Sequence, residues 1–310
     1  MLRFLLLVCA ASAACGEIRV GIIGTDTSHA TAFTAILNDP ANPNHVPGMR
    51  VVAAFKGGSA DVEESRSRVD RFAEEMKTKY GVEFVADIPT LLGKVDAVLL
   101  ESVDGRVHLT QATQVIAARK LLFIDKPLAS TLEDAREIAR LAKENGTKWW
   151  SASALRFVGW LVAMKAVRND GATTWGPGPF EPHHALELSW YGIHAVEMLY
   201  TLMGSGCVEV SWTASEASDV LTGRWKDGRL GTVRTSRPHG DYGALTFSEG
   251  HVQRSPEKAG VSYVPLVREI VRFFQTGVVP VENEETLEMF AFMDAAQRSK
   301  QNHGAPVRLR

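Results

Sequence analysis

The sequence is poor in cysteine. Only Cys9, Cys15 and Cys207 occur in 310 residues, which excludes a disulfide framework and a cysteine-based zinc cluster. It also lacks an excess of positive charge: 34 Lys and Arg stand against 36 Asp and Glu, a formal net charge of -2. Nothing in that balance favours nucleic acid or an anionic membrane surface as a partner. No apolar run is long enough to span a bilayer. There is no internal repeat and no low-complexity tract.

What is present begins with "MLRFLLLVCAASAACGE": one Arg, a short apolar run, then small residues with A-x-A character at Ala11-Ser12-Ala13. That is the layout of a secretory signal peptide. It predicts export by a Sec-type route to a periplasmic or extracellular space, since no twin-Arg precedes the run. A lipid anchor on Cys15 is the weaker alternative, because Ser12 stands where a lipobox prefers Leu. The expected division is a signal over residues 1–15, a first domain over 16–150 and a second over 151–310.

From Ile18 to Trp150, strand and helix patterns alternate. Apolar runs at Ile18–Ile23, Val51–Phe55, Ala97–Leu100 and Leu121–Ile124 are separated by helical periodicity over Thr27–Leu37, Val62–Tyr80, His108–Ala118 and Leu132–Asn145. Continuous apolar strands with helical crossovers predict a doubly wound parallel sheet, an α/β domain. In the last of these helices Ser130 or Thr131 can cap the start, and Gly146 follows the final turn. After Trp150 a helix is expected over Phe157–Arg168, then a Gly/Pro-rich loop, then a helix in "GIHAVEMLYTLMG". Short β-branched segments at Cys207–Ala214, Val220–Trp225, Gly231–Thr235 and Ala244–Phe247 follow, separated by turn residues. They predict an α+β domain with an open-faced, mostly antiparallel sheet. Helices near Val264–Gln275 and Glu284–Lys300 close the chain.

Three motifs carry a resemblance. "LLFIDKPLA", with Asp125-Lys126-Pro127 at a strand end, is similar to the E-K-P signature of the Gfo/Idh/MocA oxidoreductases, the sugar and inositol dehydrogenases related to glucose–fructose oxidoreductase. "VDAVLLESVDGRVH" resembles the family's preceding strand and loop, and "WYGIHAVEMLYTLMG" resembles the helix bearing its catalytic His, here His194. The likeness runs from Ile18 to the C-terminus. It implies a Rossmann domain and NAD(P)-dependent hydride transfer at a sugar-like carbinol. That chemistry needs a nicotinamide beside the carbon, a base for the hydroxyl proton and a cation to steady the alkoxide. Lys126 fits the cation and His194 the base, with Tyr191 in reach of the same hydroxyl. The cofactor is expected over Gly24, Thr25, Asp26, Thr27, Ser28, Ser102 and Lys126. The resemblance also implies a homo-oligomer joined through the second sheet.

The chain departs from the pattern in four places. The turn "GTDTSH" keeps only Gly24 of the glycine fingerprint, with Asp26 and His29 at the later positions. A carboxylate about 4 Å from a phosphate costs on the order of 4 kcal/mol at a dielectric of about 20. The alternative is that Asp26 turns inward and caps the helix, leaving the N–H groups of Thr27 and Ser28 for an anion. After "VVAAF" no acidic residue awaits the adenosine ribose; Lys56 and Ser59 stand there and suggest a 2′-phosphate, hence NADP over NAD. Trp190 replaces an Asp before the helix and could stack on a sugar face. A Sec-type route would also deliver the chain unfolded, without cofactor.

Metal is not expected. His194 and Glu197 are spaced for ligation, with His183 and His184 nearby, but no third well-spaced ligand joins them. The loop "TSRPHGDYG" is expected to line the pocket with His239, Asp241 and Tyr242. Three functions remain: a sugar or cyclitol oxidoreductase, a glycoside-cleaving enzyme that retains its NAD, and a carbohydrate-binding protein without turnover.

Overall fold

The computed structural model describes residues 16–165 and 169–310. The signal-peptide reading and Cys15 lie outside the described residues, as does the end of the helix expected to reach Arg168.

The first sheet is built from β1 (Ile18–Ile23), β2 (Met49–Phe55), β3 (Glu83–Val85), β4 (Ala97–Leu100), β5 (Leu121–Asp125) and β6 (Trp149–Ala152). All pairings are parallel, in the order β3-β2-β1-β4-β5-β6. Order reverses between β1 and β4, so a crevice opens beyond their C-terminal ends. The crossovers are α1 (Ser28–Asn38), α2 (Glu63–Arg66), α3 (Val69–Tyr80), α4 (Ile88–Leu92), α5 (His108–Ala117) and α6 (Leu132–Asn145). Thr27 caps α1 by accepting from the His29 N–H, and Thr131 caps α6 by accepting from Asp134. Gly146 ends α6 in the left-handed region, at φ 66°.

The expected long helix over Val62–Tyr80 is broken into α2 and α3. Its first part, "EESRSR", has no apolar period to hold it on the sheet; Ser65 is drawn to Asp26 instead. The first sheet also runs past Trp150 to Ala152, because β6 adds to β5 at its edge.

The second domain has helices α7 (Gly159–Lys165) and α8 (Gly192–Met203) and a seven-stranded sheet. Its strands are β7 (Gly171–Pro177), β8 (Cys207–Ala214), β9 (Ser218–Trp225), β10 (Leu230–Ser236), β11 (Gly243–Ser248), β12 (His251–Arg254) and β13 (Val307–Arg308). Helices α9 (Val264–Thr276) and α10 (Asn283–Gln301) follow β12. β7 lies in the stretch expected to be a loop and pairs parallel to β10, the one parallel pairing in this sheet among the described residues. Its glycines allow close packing: a Cβ on Gly176 would fall 2.8 Å from the Tyr242 ring.

α8 is apolar on almost all sides and is buried accordingly. α9 returns to the first domain, where Leu266, Ile270 and Phe273 join Val20, Phe33 and Leu99 in one core. No described helix is long and apolar enough to cross a membrane.

Candidate active site

A cavity of about 230 Å³ lies at the C-terminal edge of the first sheet, where α8 meets it. Lys126, at the end of β5, and His194, on α8, both line it, with Thr27, Ser28, His29, Tyr191 and Tyr242. His194 is the only residue of α8 that is not buried. A helix otherwise sealed into the core thus presents one side chain to the cavity.

His194 Nδ1 lies 2.7 Å from Ser153 Oγ. Glu197, one turn along, makes no hydrogen bond to the imidazole. It accepts from Arg156 Nε and from the Ser153 N–H. Burial, then the charges of Lys126 and His29, hold the His194 imidazole well below its ordinary pKa, so the ring is neutral near pH 7. Lys126 Nζ stands 5.8 Å from the Tyr191 ring centroid. Burial raises the phenol of Tyr191.

The other candidates scatter. Of the loop "TSRPHGDYG" only Tyr242 reaches the cavity; His239 and Asp241 are exposed. Trp190 lines the cavity but is 5% exposed and packs with Val62 and Val103, so it offers no open face for sugar stacking. His183 pairs with Glu181, and His184 with Asp104 at 3.1 Å. An open hollow of about 960 Å³ between α6 and α10, lined by Arg136, Glu137 and Arg298, contains none of the candidate residues.

The turn after β1 answers the question of Asp26. Its carboxylate points inward, but the cap of α1 is Thr27. Asp26 instead accepts from Ser65 Oγ at 2.6 Å and from the Val103 N–H at 3.1 Å, and burial raises its pKa. In this fold a dinucleotide's pyrophosphate rests on the N–H groups of that turn. Here the Gly24 N–H donates to Phe55 O at 3.0 Å and the Thr25 N–H to Lys56 O at 2.9 Å. Thr25 and Asp26 are 0% exposed, and a Cβ on Gly57 would fall 3.2 Å from Gly24 Cα. Segment 56–66 therefore packs directly against Gly24, Thr25 and Asp26. Only Thr27 and Ser28 of the turn face the cavity.

Lys56 is turned to Asp70 at 2.8 Å, and Ser59 is buried with its N–H on Ser65 Oγ. Ser59 is thus withdrawn from the surface, while Lys56 stays half exposed in its ion pair. Ser102 is also buried, its hydroxyl on Gln111 at 2.9 Å. Its backbone nitrogen lies 2.4 Å from where a Cβ on Gly24 would be. With φ at +88°, Gly24 serves the closure of the turn itself.

One group was missed at the level of sequence. His29 Nδ1 lies 2.6 Å from Asp125 Oδ2, and Glu101 is buried beside them. His29 stands in the first turn of α1, Glu101 directly after β4 and Asp125 at the end of β5. The available signal was that Glu101 and Asp125 are carboxylates at the C-terminal ends of apolar runs, with His29 following the turn after β1.

A reversed-order parallel sheet carrying a strand-end Lys, faced by a helix-borne His from a second sheet domain, defines a two-domain protein of the nucleotide-binding fold class. Residues 18–153 match the family model of the Gfo/Idh/MocA oxidoreductases, described as an oxidoreductase family with an NAD-binding Rossmann fold. Solved structures extend the similarity to the whole fold. Myo-inositol 2-dehydrogenase from Lactobacillus plantarum has a TM-score of 0.77 at 14% identity, covering 95% of this chain and 100% of that one. Myo-inositol dehydrogenase from Lactobacillus casei, in complex with NAD(H) and myo-inositol, has a TM-score of 0.74 at 18% identity, covering 95% and 97%. A putative NADPH-dependent oxidoreductase from Desulfitobacterium hafniense has a TM-score of 0.76 at 16% identity, covering 94% and 98%. No curated protein matches the chain.

Proposed function

We propose that the cavity takes one small polyhydroxylated ring, a sugar or cyclitol, and that Lys126 and His194 act on one of its carbinol hydroxyls. The observation that carries this reading is that His194, the one open position of α8, faces the same 230 Å³ space as Lys126. A volume of that size, below the usual range for drug-sized ligands, suits a single ring. In the tautomer that donates Nδ1–H to Ser153, His194 presents the Nε2 lone pair as the base. Lys126 steadies the alkoxide as the proton leaves. Tyr191 positions the ring through its hydroxyl. The inositol dehydrogenases of the same fold support a polyol as the substrate class.

In the family the hydride goes to a nicotinamide nucleotide; the residues after β2 favour neither NAD nor NADP. The test is incubation of the protein with each nucleotide and a panel of inositols and hexoses, following the absorbance of the reduced nucleotide. Turnover that Lys126→Ala abolishes while ring binding persists supports the reading. The closed turn favours one second reading, a carbohydrate-binding protein without turnover. Saturable ring binding with no reduction of either nucleotide would establish that reading in place of the first.

Two further expectations belong here. The signal-like residues 1–15 support export, which fractionation of the native host tests. The face of the second sheet away from α8 supports pairing with a second copy; a monomer in sedimentation would reject it.

A further inference from the structure

Three buried side chains meet at the C-terminal ends of β1, β4 and β5, and none has a part in the reaction proposed above. One ring nitrogen of His29 and one carboxylate oxygen each from Glu101 and Asp125 lie within 4.8 Å of one another. Glu101 is 0% exposed and neither of its oxygens has a hydrogen-bond partner; Asp125 Oδ1 has none either. Buried carboxylates without donors call for a compensating cation held close. Lys126 acts on both through space, yet none of these three orphan oxygens accepts a hydrogen bond from it.

We propose that His29, Glu101 and Asp125 bind one divalent transition-metal ion of the zinc or manganese class. Two donors on one such ion, at bond lengths of about 2.0–2.2 Å, stand roughly 3.0–3.5 Å apart. The His29–Asp125 contact of 2.6 Å opens slightly to admit the ion. Glu101, with no competing partner to release, turns to close the remaining gap. One imidazole and two carboxylates suit borderline ions. Calcium and magnesium prefer a shell built from oxygen. The two carboxylates offset the charge of a divalent ion, and the neighbouring ammonium of Lys126 makes the site weaker than a closed structural one. His29 also lines the active-site cavity, which gives the ion a way in. The remaining coordination positions are left to water or to an oxygen of a bound ligand.

The metal itself is the probe. The full chain is stripped with chelator and titrated calorimetrically with Zn²⁺ and with Mn²⁺, and the visible spectrum is recorded with Co²⁺. The wild type is expected to bind one equivalent. Glu101→Gln and His29→Gln each weaken binding by about 100-fold or more, at least the upper end of what loss of a supporting residue costs, and each alters the Co²⁺ bands. Should Glu101→Gln fail to fold, His29→Gln with its Co²⁺ spectrum carries the test. Absence of stoichiometric binding by the wild type would overturn the proposal. So would equal binding by both variants, or a Co²⁺ spectrum that His29→Gln leaves unchanged. None of these readouts depends on turnover.

Discussion

Asp26 and Ser65 meet in a 2.6 Å hydrogen bond that fastens the segment after β2 over the turn after β1. The same hydroxyl accepts from the Ser59 N–H at 2.7 Å, so one serine ties three points of the chain. Ser65→Ala removes a donor from a fully buried carboxylate. A loss of about 1–3 kcal/mol is expected at pH 7, read as a lower midpoint in urea. An unchanged midpoint would mean that the segment is not held by this contact.

The His194 imidazole is expected to stay neutral throughout the ordinary histidine range. Burial lowers its pKa first, followed by the charges of Lys126 and His29. Because the folded value lies below the unfolded one, the group's contribution to stability is full above the unfolded pKa and is lost as pH falls below it. NMR of the imidazole nitrogens should show no titration of His194 between about pH 6 and 8. Lys126→Met removes one of the two repelling charges and should move the titration upward. A wild-type midpoint near the ordinary 6.5 would contradict the enclosed, electropositive setting.

Much of this arrangement was legible in the sequence, for physical reasons that also mark where reading stops. β4 was found at its true bounds because it is a continuous apolar run, as a strand buried on both faces must be, and β1 because only Arg19, near its exposed start, interrupts its apolar run. β7 was not, since Gly171, Gly176 and Pro177 are turn-type residues; Gly171 and Gly176 stand in a strand because a Cβ would fall 2.8 Å from Leu230 O and from the Tyr242 ring, respectively. Lys126 and His194 lie in local motifs and could be named. The closure of segment 56–66 over Gly24 could not, because it depends on contacts such as Ser65 to Asp26 across 39 positions. The grouping of His29, Glu101 and Asp125 is likewise a product of strand order.

Asp104 links the two domains near this closure. Burial alone would raise its carboxyl, but hydrogen bonds from His184, Arg106 and Ser59 outweigh it and hold the carboxyl far below its ordinary value of 3.8. The sign follows: this stabilisation is complete above the unfolded pKa and is lost as pH falls toward the folded one. Asp104→Asn should cost roughly 1.5–3 kcal/mol at pH 7, and the gap to wild type should narrow as pH drops below 4 or so. Denaturant melts at pH 7 and at about pH 3 compare the two. A gap that stays constant with pH would refute the ionic origin of the stabilisation.

Behind His194 runs a buried chain of contacts. Arg156 donates to Glu197 and, at 2.6 Å, to Glu285; Glu197 accepts from the Ser153 N–H at 3.1 Å; and the Ser153 hydroxyl meets the imidazole. Arg156→Met leaves Glu197 a buried charge without its cation. Breaking such a pair costs about 3–5 kcal/mol. Adding Glu197→Leu removes the orphaned charge, and apolar replacement of both partners is often neutral in stability. The double variant should therefore recover most of the loss in a denaturant melt. It should still differ at the cavity, because Ser153 loses the acceptor that fixes its backbone. The imidazole would then be held by a less constrained hydroxyl, and the His194 nitrogen signals should shift and broaden. If the double variant is as unstable as the single one, the pair acts through packing and not through charge. If its stability returns with the His194 signals unmoved, the chain does not position the histidine.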